Sequence, residues 1–198
     1  GSTSALTLDG DLTKTGTGQL TLQRVNMSGA GNFIIASGVV RMNAGNSSVL
    51  TLGGTGNIQV KGSSELHFSK NSGSFDSTRD IVMSDTAKLS LTGNSSGTIA
   101  SDIQWTGTHS LDSSGVEHIL SGAWSGAGTV NRSGSGALLL SGNSATFAGT
   151  LDLTSGATTL SGNFGATNAG TLKLSGGTLK INGAGTLGGG SYAVDIIN

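Results

Sequence analysis

A short unit of alternating strand and glycine turn recurs along this chain, with no helical stretch between its copies. That recurrence restricts the fold more than any other feature. Leu120-Ser121-Gly122, Leu140-Ser141-Gly142, Leu160-Ser161-Gly162 and Leu174-Ser175-Gly176 set their leucines 20, 20 and 14 residues apart. His118, Leu138, Thr158 and Leu172 stand two positions before these leucines. A strand shows one face every second residue, so each such pair is expected to point the same way, toward the core. A period of about 20 residues without helices is the mark of a solenoid.

The same unit can be followed from the first residues. Leu6-Thr7-Leu8, Leu20-Thr21-Leu22, Leu50-Thr51-Leu52, Ile58-Gln59-Val60, Leu66-His67-Phe68, Lys88-Leu89-Ser90-Leu91, Leu151-Asp152-Leu153 and Leu179-Lys180-Ile181 all alternate. Gly, Asn and Ser separate them, and Gly-Asn follows a strand at Gly93-Asn94, Gly142-Asn143 and Gly162-Asn163. Both residues accept positive φ, which lets a chain corner sharply. Corners in one direction would coil the strands into stacked parallel sheets about 4.8 Å apart. At about 20–25 residues per coil, the chain would make roughly eight to ten coils. Segments 70–85 and 97–114 depart from the unit and read as loops or irregular coils. A sandwich or barrel is the alternative, which short alternating strands alone do not exclude.

Composition decides whether such a chain folds at all. It has 35 glycines in 198 residues, no proline, no cysteine and only 11% charged residues. Disordered chains lack regularly spaced Leu, Ile and Val and carry high net charge. Here the spacing is present and the net charge is −1, so a fold is expected. That charge offers no broad basic field for nucleic acid or anionic membrane. Apolar runs such as Phe33-Ile34-Ile35-Ala36 are too short to span a bilayer. The lack of cysteine excludes disulfides and thiolate metal sites, and suits export through an oxidising space.

Segment 125–143, from Ser125-Gly126-Ala127-Gly128-Thr129-Val130 to Leu138-Leu139-Leu140-Ser141-Gly142-Asn143, resembles the strand repeat of bacterial autotransporter passengers. So do Phe147-Ala148-Gly149-Thr150-Leu151-Asp152-Leu153, segment 12–22 and segment 185–192. The resemblance covers about two thirds of the chain and is clearest over 115–190. It implies an all-β, right-handed parallel β-helix, exported and displayed on a Gram-negative surface. Gly1-Ser2 reads as a cloning scar, so 1–198 is expected to be one β-helix segment of a larger surface protein.

Few motifs promise chemistry. Gly183-Ala184-Gly185-Thr186-Leu187-Gly188 spells G-x-G-x-x-G, yet Gly189-Gly190-Ser191 cannot start the helix a dinucleotide site needs. Gly93-Asn94-Ser95-Ser96-Gly97 spells G-x-S-x-G without a strand-elbow-helix context. Gly53-Gly54-Thr55-Gly56-Asn57 opens like a calcium nonapeptide but has Ile58 where Asp is required. His109, Asp112, Glu117 and His118 are the densest polar group and contain metal-ligand and acid–base residue types. Strand phase turns His118 inward and Glu117 outward, which splits that group. Arg24, Arg41, Arg79 and Arg132 are too scattered for a basic patch.

Trp105, Trp124 and Tyr192 are the candidate ligand contacts: on an outer face they would stack on sugar rings, and at a coil corner they would be core. The expected function is that of a non-enzymatic adhesive surface or stalk, with no cofactor. Its partners would be surface glycans or matrix proteins, with no nucleic acid and no membrane insertion of this segment. A polysaccharide-cleaving β-helix enzyme and a module self-associating through its coil ends are the alternatives.

Overall fold

A computed structural model describes residues 2–45, 49–70, 75–165, 170–183 and 185–187. Every strand pairing in it is parallel, and among the described residues no helix occurs. The chain is the expected parallel β-helix. Each turn visits three faces in a fixed order, and parallel strands joined by such crossovers wind right-handed.

The first sheet holds nine strands, from Ser4–Thr7 to Thr178–Ile181, which mark eight full turns. The second contains Leu12–Lys14, Phe33–Ile35, Ile58–Val60, Ile81–Asp85, Trp124–Gly126 and Thr146–Phe147. The third runs from Gln19–Gln23 through Glu65–Lys70 and Lys88–Gly93 to Thr171–Leu174. At about 4.8 Å per coil the stack is about 40 Å tall.

Segment 97–114, read from sequence as irregular, is a regular coil. It contains the longest strand, Ile103–Ser113, which belongs to the second sheet at one end and the third at the other. Gly107 makes the bend, with φ of 116°. A Cβ there would fall 2.2 Å from the carbonyl oxygen of Asp85 in the coil below. Asp85, its register partner, is also left-handed at φ 61°, and its carboxylate accepts the Gly62 N–H at 2.9 Å. Phe75–Ser77 and Ile81–Asp85 likewise stack in register, so segment 70–85 is no open loop where it is described.

The core is a set of ladders. Phe75, Ile99, Leu120, Leu140 and Leu160 succeed one another in the first sheet, and the row ends on the exposed Ile181. The residues two positions before the last four are His118, Leu138, Thr158 and Leu179. Leu172 and Leu174 belong elsewhere: they stack on Leu151 and Leu153 in the third sheet. The 14-residue interval therefore crosses from one face to another and is not a coil. Each buried leucine contributes roughly 1.5–3 kcal/mol.

Aromatic side chains fill the core of coils five to eight. Trp105 and Trp124 lie 5.0 Å apart by ring centroid, and Trp124 lies 5.7 Å from both Phe147 and Phe164. Two arginines are buried as well. Arg79 donates all five of its N–H groups to backbone carbonyls: Nε to Gly53, Nη1 to Gly31 and Gly56, and Nη2 to Ser28 and Gly29. These bonds measure 2.8–3.0 Å and tie three successive coils at one corner. Arg132 occupies an inward position between Leu111 and Leu153 and donates to the carbonyls of Gly134, Ser155, Gly136 and Ala157.

Candidate functional site

The residues singled out from sequence do not gather into a site. Trp105 and Trp124 are 0% and 1% exposed, so neither offers a ring face to a ligand. Both occupy inward positions of the second sheet, in register with Met83 and Ile103, and apolar burial places them in the core. Tyr192 lies outside the described residues. His109 points inward, its Nδ1–H donating to Ala87 O at 3.1 Å. His118 points inward from the first sheet, as its phase predicts, with Nε2–H donating to Ser114 O at 3.1 Å. Burial lowers the His118 pKa from 6.5, the bond to Ser114 opposes that, and the Lys70 ammonium adds to it. Glu117 is exposed, and Asp112 faces outward beside Lys88. Among the described residues no group of three or more His, Asp or Glu is placed to hold a metal.

Stacking brings together other residues that are distant in the chain. On the outer side of the third sheet, Glu65, Lys88 and Ser110 are in-register neighbours, as are His67, Ser90 and Asp112. Lys88 Nζ lies 4.0 Å from Glu65 and 3.6 Å from Asp112, bridging three coils. His67 Nε2 and Thr92 Oγ1 share a hydrogen bond of 2.7 Å. Burial lowers the His67 pKa, Glu65 works against it, and Arg41 and Lys88 reinforce it. These charges largely satisfy one another.

The second sheet carries a different arrangement. Asp11, Asn32, Asn57, Asp80 and Asp102 each precede the inward residue that opens a strand: Leu12, Phe33, Ile58, Ile81 and Ile103. They form a polar column along one corner. Asp11 Oδ1 accepts the Asn32 N–H at 2.8 Å, Asn32 Oδ1 accepts the Asn57 N–H at 2.9 Å, and Asp102 Oδ1 accepts the Ala123 N–H at 2.7 Å. Short polar side chains suit this corner because they can cap a backbone donor of the next coil, as those of Asp11, Asn32 and Asp102 do. The column is interrupted in the middle. Among the described residues, the side chains of Asn57 and Asp80 cap nothing.

A groove of about 210 Å³ opens at that interruption. Asn57, Asp80 and Asp102 form one wall, and Val82, Gln104 and Ser125, neighbours in an outward row, form the other. The six residues come from four successive coils, a span of about 14 Å along the rod. Neither carboxylate has an ion-pair partner among the described residues. Partial burial raises the Asp80 pKa, and the neighbouring Asp102 raises it further.

The groove residues were within reach of the sequence. A polar residue directly before an apolar strand recurs at Asp11-Leu12, Asn32-Phe33, Asn57-Ile58, Asp80-Ile81 and Asp102-Ile103. Its irregular spacing hides it from a search at fixed period. No protein-family model, curated protein or solved structure matches this chain.

Proposed function

We propose that this chain is a non-enzymatic segment of an exported, autotransporter-like cell-surface protein, serving as a stiff stalk whose outer faces adhere to glycans or matrix proteins. The observation that carries this reading is the stack of eight turns, marked by nine parallel strands in the first sheet. Such a stack resists bending and repeats polar outward rows at a fixed spacing, which suits many weak contacts made together. The resemblance of 115–190 to passenger repeats supports the location.

An array of glycans and matrix proteins tests the adhesive part. Reproducible retention of labelled, folded protein on a few related spots is expected. A blank array would overturn adhesion and leave the stalk alone.

The charged strip of Glu65, His67, Lys88 and Asp112 favours a second reading, a polysaccharide-cleaving enzyme, because acid, base and cation share one open face. Mutual pairing of these groups counts against it. Release of reducing ends from a polysaccharide panel would revive it, and none is expected.

A further inference from the structure

The groove on the second sheet lies where, among the described residues, the polar column leaves the side chains of Asn57 and Asp80 uncapped. Its wall of Asn57, Asp80 and Asp102 is rich in acceptors, and a ligand there must bring donors. Two neighbouring carboxylates with no ion-pair partner among the described residues favour a ligand that carries positive charge.

An extended peptide fits poorly. The strands beneath the groove, Ile58–Val60, Ile81–Asp85 and Ile103–Ser113, are already paired on both sides, so no backbone edge is free to take another strand. Val82 is the one large aliphatic residue in the lining, too little to anchor apolar side chains. What the walls do offer is carboxylate, amide and hydroxyl groups repeated along the rod at the coil spacing of about 4.8 Å. Saccharide rings present hydroxyl donors in just such a succession, and an amino sugar adds the cation.

We propose that this groove binds a saccharide chain bearing free amino groups, laid along the rod axis, with its ammonium groups on Asp80 and Asp102 and its hydroxyls on Asn57, Gln104 and Ser125. The proposal rests on the adhesive reading above and names the ligand class for one surface. Acidic saccharides should be rejected by the same carboxylates.

The test is calorimetric titration of the full chain with an oligomer of β-linked glucosamine. Its N-acetylated counterpart, an oligouronate and oligolysine serve as comparators. Binding of the glucosamine oligomer is expected, weakening as salt is raised, with at least ten-fold weaker binding of the acetylated and acidic chains. Asp80→Asn/Asp102→Asn should lose at least ten-fold for glucosamine. Asparagine keeps an Oδ1 to accept the Ala123 N–H, so the fold is expected to survive, and an unchanged melting temperature checks this.

Equal affinity of the double variant, absence of glucosamine binding, or oligolysine binding as tightly as the saccharide would each overturn the proposal. The array separates this from the adhesive reading. If the double variant is retained on the same spots as the parent chain, adhesion stands and the groove is not its site.

Discussion

The guanidinium of Arg79 lies 2.8 Å from the carbonyl oxygen of Gly31, a residue 48 positions earlier in the chain. Arg79 also reaches Gly56 in the intervening coil, so one cation fastens a corner across three coils. Removing it takes a donor from five carbonyls; those of Gly31 and Gly56 are buried, while Ser28 and Gly29 keep the N–H groups of Leu8 and Thr55. Arg79→Ala should destabilise the protein by about 2–4 kcal/mol, through carbonyls left without a donor. Arg79→Lys should recover little, because an ammonium has three donors and no planar fork. Denaturant melts measure both, and added guanidinium ion should partly restore the alanine variant at sub-denaturing concentration. A loss below about 1 kcal/mol would mean that the cradle contributes little.

Two histidines contribute to the acid side of stability. The His67 and His118 pKa values are both lowered from 6.5, chiefly by burial. Below pH 6.5 the unfolded chain therefore binds more protons than the folded one. Stability is full above that pH and declines as pH falls toward the folded values. His118→Leu places a leucine in a row that Leu138 already occupies. It should change stability at pH 7.5 by no more than about 1–1.5 kcal/mol and flatten the decline below pH 6.5. Melting temperature against pH for both proteins is the measurement. Unfolding of the variant at neutral pH would contradict the inward, neutral histidine.

The tryptophans should behave as core. Trp105→Ala or Trp124→Ala should cost about 3–5 kcal/mol, whereas Trp105→Phe should stay folded and keep any glycan retention of the parent chain. Emission blue-shifted from that of free tryptophan is expected for both. Retention lost in a folded Trp105→Phe variant would place the ligand on the aromatics after all.

Gly107 allows one strand to serve two sheets. Gly107→Ala sets a Cβ against the Asp85 carbonyl at a φ of 116°. It should destabilise by more than about 1 kcal/mol. Gly10→Ala, where nothing lies within 4 Å of the added carbon, should be nearly neutral. Comparable melting curves for the two variants would show that the corner is looser than its geometry.

Much of the fold was legible in the sequence because alternation and glycine turns are local signals. Leu120, Leu140 and Leu160 announce a ladder at a constant period, and the phase of His118 follows from it. Leu174 misled because the same three-residue word closes a strand on a different face, and a word carries no label for its face. Trp105 and Trp124 are equally at home in a core or on a binding surface, so only burial could decide. The groove was harder to see. Asn57, Asp80 and Asp102 are 23 and 22 residues apart and meet only after coils of unequal length are stacked. Arg79 and Arg132 gave no sign of burial, since a charge enters a core only when backbone carbonyls have already been gathered to receive it.

The stacking register of coils four and five underlies both the rod and its groove, and the absence of native cysteine makes it directly measurable. Val82 and Gln104 are in-register neighbours on the outer face, their Cα atoms about 4.8 Å apart, within disulfide reach. Val82 and Ser125 are two coils apart, about 9.6 Å, and beyond it. Oxidation of Val82→Cys/Gln104→Cys should close an intramolecular disulfide in nearly all of the folded protein, while Val82→Cys/Ser125→Cys should stay reduced. A reduced first pair, or a closed second pair, would contradict the stacked coils described above.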